Sequence, residues 1–126
     1  MVSVSALAGR RLLIVEDEAL VAMMLEDMLA RLGCVVVDVA ASVSRGLALA
    51  GDASLAIDAA VLDVNLGGEE VYPVAEKLAA GGVPFVFSTG YGLAGIASDF
   101  ARVPALAKPF TPRALEAALV AALTGA

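Results

Sequence analysis

Apolar positions along this chain alternate between two patterns. Short continuous runs occur at Arg11–Val15, Cys34–Ala40, Ala59–Asp63, Pro84–Ser88 and Val103–Ala107. Runs of this length, rich in Val, Ile, Leu and Phe and bounded by Gly, Pro or acids, suit strands covered on both faces. In the second run Val35, Val37 and Val39 are expected on one face, with Val36 and Asp38 on the other. Between the runs the apolar residues recur at helical spacing. One helix is predicted from near Glu18, with Val21, Met24, Leu25, Met28 and Leu32 as its buried stripe and Gly33 as its stop. Met23 is expected in the same core.

Ser42 is a predicted N-cap for a short helix through Leu47 and Ala50. Gly67-Gly68-Glu69-Glu70 reads as a turn or loop, followed by a helix over Val71–Ala80 with Pro73 in its first turn. Thr89-Gly90-Tyr91-Gly92 reads as a loop, and Leu93–Phe100 as a short helix with Gly95 inside it. Thr111 and Pro112 open a last helix to about Leu123, with Leu115, Leu119 and Leu123 on one stripe. Five strands thus alternate with five helices, which predicts a parallel sheet with helices on both faces. Residues 1–9 are expected to be a flexible tail, and residues 10–126 a single domain.

Composition narrows the function. Among 126 residues, 60% are hydrophobic, enough for a substantial core. Eight basic residues stand against 14 acidic ones, a net charge of −6, which argues against a nucleic-acid-binding face. There is no histidine, so Ser-His or Cys-His catalysis and histidine-ligated metals are excluded. The single cysteine, Cys34, forbids an internal disulfide, suits a reducing, cytoplasmic compartment and reads as a buried small hydrophobe. The uncharged stretch from Leu78 to Ser98 carries too many Gly and Pro residues for a membrane span. No membrane partner is expected.

Every polar candidate lies just past a strand. Glu16 and Asp17 follow the first, Asp63 ends the third, Thr89 follows the fourth and Lys108 the fifth. In a parallel sheet these ends share one side, where ligands of open α/β sheets bind. Three carboxylates gathered there would share a proton or bind a cation. Oxygen donors without His or Cys favour Mg²⁺, with Mn²⁺ or Ca²⁺ also suited. A carboxylate beside a hard cation and a lysine suits phosphoryl transfer, with Asp63 attacking phosphorus and Thr89 bonding an oxygen of the new group.

Glu16-Asp17, Asp63 within Leu-Asp-Val-Asn-Leu, Thr89 and Lys108-Pro109-Phe110 together resemble the receiver domain of two-component response regulators, over nearly the whole chain. The resemblance implies a flavodoxin-like (βα)5 three-layer sandwich with strand order 2-1-3-4-5. It implies that Asp63 accepts phosphate from a phosphohistidine on a sensor histidine kinase or histidine phosphotransfer protein. Asp17 and Asp63 would bind Mg²⁺ directly with the backbone carbonyl of Asn65, Glu16 would act through metal-bound water, and Lys108 would pair with the carboxylate and then the phosphoryl group. Such a domain is a signalling module rather than an enzyme, a monomer or a phosphorylation-dependent dimer.

Pro84-Phe-Val-Phe-Ser-Thr-Gly-Tyr-Gly92 resembles the FATGUY-motif receivers, often stand-alone and paired with kinases of the HWE type, with Ser88 in place of the motif's Ala. Three positions before the lysine, where many receivers carry an aromatic switch residue, this chain has Ala105. In its place, phosphorylation is expected to draw Thr89 inward and order the Gly-rich segment Gly90–Phe100, moving Tyr91. With no output domain expected after Leu123, the chain is read as acting through protein contacts.

Three rivals stand beside this reading. A Mg²⁺-dependent aspartyl-phosphate phosphohydrolase usually needs an acid two residues after the nucleophile, where Asn65 cannot serve. A docking module that is never phosphorylated leaves the assembled acids and lysine unexplained. A Rossmann nucleotide-binding domain would need a Gly-rich loop where Glu16-Asp17-Glu18 stands.

Overall fold

A computed structural model of the chain describes residues 6–92 and 95–125. Five parallel strands form the sheet: β1 (Arg11–Val15), β2 (Val35–Ala40), β3 (Ala59–Asp63), β6 (Phe85–Thr89) and β7 (Ala105–Ala107). Their order is β2-β1-β3-β6-β7, which is 2-1-3-4-5 when only this sheet is counted. Four α-helices cover it: α1 (Ala19–Arg31), α2 (Val43–Ala50), α3 (Tyr72–Ala80) and α4 (Pro112–Thr124). Helices α1 and α4 pack on the face carrying Leu12, Ile14, Val61 and Val86. Helices α2 and α3 pack on the opposite face, against Leu13, Val15, Leu62 and Phe87. Each buried Leu or Phe side chain stabilises the fold by about 1.5–3 kcal/mol through apolar surface removed from water. This is the flavodoxin-like three-layer sandwich. No helix among the described residues is long and apolar enough to cross a membrane.

The caps form where hydroxyls stand in the sequence. Ser42 Oγ accepts from Arg45 N at 3.2 Å, and Thr111 Oγ1 from Ala114 N at 3.1 Å. Gly46 lets α2 approach α3, since a Cβ there would sit 3.0 Å from Val74 Cγ2. Cys34 is buried, its thiol donating to Leu7 O at 3.5 Å, and burial pushes the thiol up from its ordinary value.

Several expectations are corrected. The segment Gly67–Glu70, expected as a turn or loop, holds a turn at Gly67-Gly68 but also a short strand. Strands β4 (Asn65–Leu66) and β5 (Glu69–Glu70) pair antiparallel around Gly67 and Gly68, whose φ of 60° and 95° suit the tight turns of two-residue hairpins. The fifth helix, expected over Leu93–Phe100, is absent among the described residues. Leu93 and Ala94 lie outside them, and the rest holds a short 3₁₀ turn at Ser98–Phe100. Glycine costs backbone entropy in a helix, and here side chains satisfy the backbone instead: Tyr72 Oη accepts from Ala97 N at 2.9 Å and donates to Gly95 O at 3.5 Å. The Tyr72 ring stacks on Phe100 at 5.4 Å between centroids. Tyr72 thus holds the loop that was expected to be loose, and Phe100 packs in the same cluster as Ala105.

Residues 1–5 lie outside the described residues, but Ala6–Gly9 form a turn rather than a loose tail. Leu7 is fully buried, and Gly9 N donates to Gly33 O at 2.8 Å. The Leu7 side chain joins the core cluster of Leu12, Leu25, Leu29 and Cys34.

The buried stripe of α1 is Ala22, Leu25 and Leu29, rotated from the one expected. Val21, Met28 and Leu32 are half-buried, while Met23 and Met24 are exposed. Periodicity cannot choose between overlapping stripes on a helix apolar nearly all round. In β2 the register slips between Leu12 and Leu13, so Val36 and Asp38 pair with them and Val37 is the extra residue. The expected single face of Val35, Val37 and Val39 is therefore broken, and Val36 and Val39 both pack on the α1/α4 side.

Candidate functional site

The parallel sheet brings five strand ends to one edge, and the side chains there converge. Asp63, the last residue of β3, is buried. Its Oδ2 accepts from Lys108 Nζ at 3.2 Å, and its Oδ1 from Asn65 N at 3.3 Å. Lys108 Nζ also donates to Glu16 Oε1 at 2.8 Å, while Glu16 Oε2 accepts from Glu18 N at 3.1 Å. Backbone bonds hold the contributors in place: Glu16 N donates to Ala40 O at 2.8 Å and Lys108 N to Thr89 O at 2.9 Å. The Lys108–Pro109 peptide is cis.

The electrostatics follow from burial. Burial pushes the Glu16 carboxyl up from 4.5, the Lys108 hydrogen bond opposes this, and the hydrogen bond and charge of Asp63 add to it. Burial alone would lower the Lys108 ammonium. The Glu16 hydrogen bond and the charges of Asp63 and Glu16 outweigh that, and the net shift is upward from 10.5. One ammonium thus bridges two buried carboxylates, with an excess of negative charge left over.

That excess faces a cleft of about 440 Å³ lined by Asp17, Glu18, Asp63, Asn65, Gly67, Gly68, Gly90, Tyr91 and Lys108. Carboxylate oxygens of Glu16, Asp17 and Glu18 all lie within 4.8 Å of one another. This donor set is oxygen-only, carries net negative charge and opens on a cleft, so it fits a hard divalent cation. Glu18 was not among the ligands expected from sequence; its signal was the unbroken acidic run Glu16-Asp17-Glu18.

Thr89, at the end of β6, is buried, and its Oγ1 accepts from Tyr91 N at 3.0 Å. The structure therefore joins Glu16, Asp63 and Lys108 directly, lines the cleft with Asp17 and Asn65, and leaves the Thr89 hydroxyl bonded to its own loop. Oxygen donors for a cation, a buried carboxylate and a fixed ammonium are the parts that phosphoryl transfer to a carboxylate needs.

A family model described as the response regulator receiver domain matches residues 12–120. The chain belongs to the response regulator receiver domain family. Among solved structures, this receiver is similar to SdrG from Sphingomonas melonis Fr1, with 48% identity and a TM-score of 0.81 over 91% of this chain and 97% of that one. It is similar to the BeF3-activated conformation of SdrG from Pseudomonas melonis Fr1, with 49% identity and a TM-score of 0.78 over 92% and 98% of the two chains. The receiver domain of the Erythrobacter litoralis response regulator PhyR has 25% identity and a TM-score of 0.81 over 95% and 94%. A comparison with curated proteins found no match. The receiver is thus a two-component signalling domain, and the acidic edge described above is where its site residues are to be sought.

Proposed function

We propose that this receiver takes a phosphoryl group onto Asp63 from a phosphohistidine on a sensor histidine kinase or histidine phosphotransfer protein, and signals through protein contacts in the cytoplasm. The observation that carries this is the Lys108 ammonium bonded to both Glu16 and Asp63 at the mouth of an acidic cleft. In the step, an Asp63 carboxylate oxygen forms the O–P bond as the P–N bond of phosphohistidine breaks, and the electron pair leaves on the imidazole nitrogen. Lys108 holds the carboxylate in place and then faces the arriving phosphoryl oxygens. Thr89 exchanges its bond with Tyr91 N for one to a phosphoryl oxygen.

Asp17 and Asp63, with the Asn65 carbonyl, would hold Mg²⁺, Glu16 acting through its bound water; the nearby Glu18 carboxylate adds to the same field. When bound, the cation neutralises charge on the phosphoryl oxygens. A relative 49% identical has been solved in a BeF3-activated conformation, which supports an activated state for this chain also.

The partner reading has its own support. Leu20, Met23 and Met24 on α1 are 70%, 63% and 51% exposed. They line one apolar cleft of about 400 Å³. Met24 also lines a second, of about 340 Å³, with Met28, Pro109 and Phe110, and Lys108 lines both this second cleft and the acidic one. An apolar face adjoining the acceptor suits a helical partner that presents its phosphohistidine beside an apolar stripe.

Incubation with acetyl phosphate and Mg²⁺, followed by intact mass, tests the reading. One phosphoryl group is expected on the wild type, none on Asp63→Asn, and less on Asp17→Ala and Lys108→Ala. An unmodified wild type, or an adduct that persists in Asp63→Asn, would overturn it.

A further inference from the structure

Among the described residues, Ser88 Oγ is the buried side-chain oxygen or nitrogen atom that lacks a hydrogen-bond partner. Ser88 is fully buried, one residue before the end of β6. A buried hydroxyl without a partner loses its hydration, and such a group in a native protein calls for an explanation: strain, an ordered water or ion, or a functional role. Alanine would fill the position without that cost.

Placement indicates the use. Ile14 pairs with Val61, Asp63 with Ser88, and Ser88 with Leu106. Paired residues project to the same face, as do residues two apart along a strand. Glu16, Asp63, Ser88 and Lys108 therefore share the α1/α4 face at the sheet edge. Lys108 leaves β7, yet its ammonium reaches Asp63 on β3 and Glu16 past β1. The strand between β7 and β3 is β6. The lysine side chain therefore spans β6 on the face that Ser88 occupies. An ammonium has three N–H donors. Lys108 uses two, on Glu16 and Asp63.

We propose that Ser88 is a positioning residue for Lys108: its hydroxyl accepts an ammonium proton when a divalent cation draws the Glu16 carboxylate away. This rests on the function proposed above. In the cation-free protein Glu16 holds the ammonium and Ser88 waits unpartnered. With the cation present, Ser88 keeps the ammonium over Asp63, where the phosphoryl oxygens arrive. The effect of Ser88 is thus confined to the cation-loaded state, which a merely structural serine would not show.

The test uses the full ¹⁵N-labelled chain and titrates Mg²⁺ while following hydrogen exchange at the Lys108 ammonium. In the wild type that exchange is expected to stay slow throughout. In Ser88→Ala it is expected to match the wild type without Mg²⁺ and to rise about tenfold with it. The rate of modification by acetyl phosphate at saturating Mg²⁺ is expected to fall by a similar factor, at unchanged Mg²⁺ affinity. Tenfold corresponds to about 1.4 kcal/mol, near the lower end for a hydrogen bond to a charged group. Ser88→Thr, which keeps the hydroxyl, is expected to restore both. Exchange in Ser88→Ala identical to wild type at saturating Mg²⁺, or raised equally with and without it, overturns the proposal. If the Mg²⁺-dependent difference appears but no protein takes a phosphoryl group, the proposed function fails and the role of Ser88 stands.

Discussion

Replacing Lys108 by Met keeps an unbranched apolar stem and removes the charge that joins the site. The Glu16 and Asp63 side chains are 1% and 7% exposed, against 18% for Lys108. The substitution therefore leaves two buried carboxylates facing each other. Removing one partner of a buried pair costs about 3–5 kcal/mol. Solvent reaches Lys108, and Glu16 can take up a proton, so the expected cost at pH 7.5 is about 2–3 kcal/mol. With a urea m-value of about 2 kcal/mol/M, the unfolding midpoint falls by about 1–1.5 M.

The pH dependence has a definite sign. Burial already raises the Glu16 carboxyl above 4.5 in the folded protein. A carboxyl raised by folding binds its proton more tightly in the folded state, so the contribution of Glu16 to stability is greatest at low pH and is lost as pH rises from 4.5 through the raised value. Loss of Lys108 removes the hydrogen bond that opposes the rise, and so widens that window. The penalty of Lys108→Met should accordingly be small near pH 4.5 and larger at about pH 7.5, and Mg²⁺ should shrink it by supplying another cation. Urea unfolding at both pH values, with and without Mg²⁺, measures this. A variant within about 0.5 kcal/mol of wild type at pH 7.5, or a penalty equal at both pH values, would refute the reasoning.

Two further outcomes are expected. Met24→Glu puts a charge on the exposed face of α1; phosphotransfer from a histidine-phosphorylated partner should fall at least tenfold, one lost apolar contact being worth about 1.5–3 kcal/mol, while the acetyl phosphate rate stays unchanged. Tyr72→Phe removes the hydroxyl that bonds Ala97 N and Gly95 O but keeps the ring stack on Phe100; a loss of about 1 kcal/mol and faster amide exchange at Ala97 should follow, and unchanged exchange would show that the ring alone holds the loop.

Much of this protein was legible before folding was considered. Strands of buried residues such as Leu12–Val15 and Ala59–Leu62 announce themselves because both sheet faces are covered, so every side chain must be apolar. The gathering of Glu16, Asp17, Asp63, Thr89 and Lys108 at one edge was legible because alternation of strand and helix puts the strand ends there. The turn at Gly67-Gly68 was legible, but the strands beside it were not, because at two residues each they are too short for any pattern. Helix α1 was rotated in the reading because an apolar residue at nearly every position leaves its stripe undetermined. The segment around Gly95 was misread because its order comes from Tyr72, distant in sequence.

The amino-acid order by itself determined the element types, the parallel architecture and the identity of the acidic edge, since these follow from local periodicity and chain connectivity. Only the folded chain decided which carboxylates Lys108 reaches, that Glu18 joins the acidic group, that Leu7 is core and that Ser88 is buried without a partner. Those depend on distances between residues far apart in the chain, and no local pattern carries a distance.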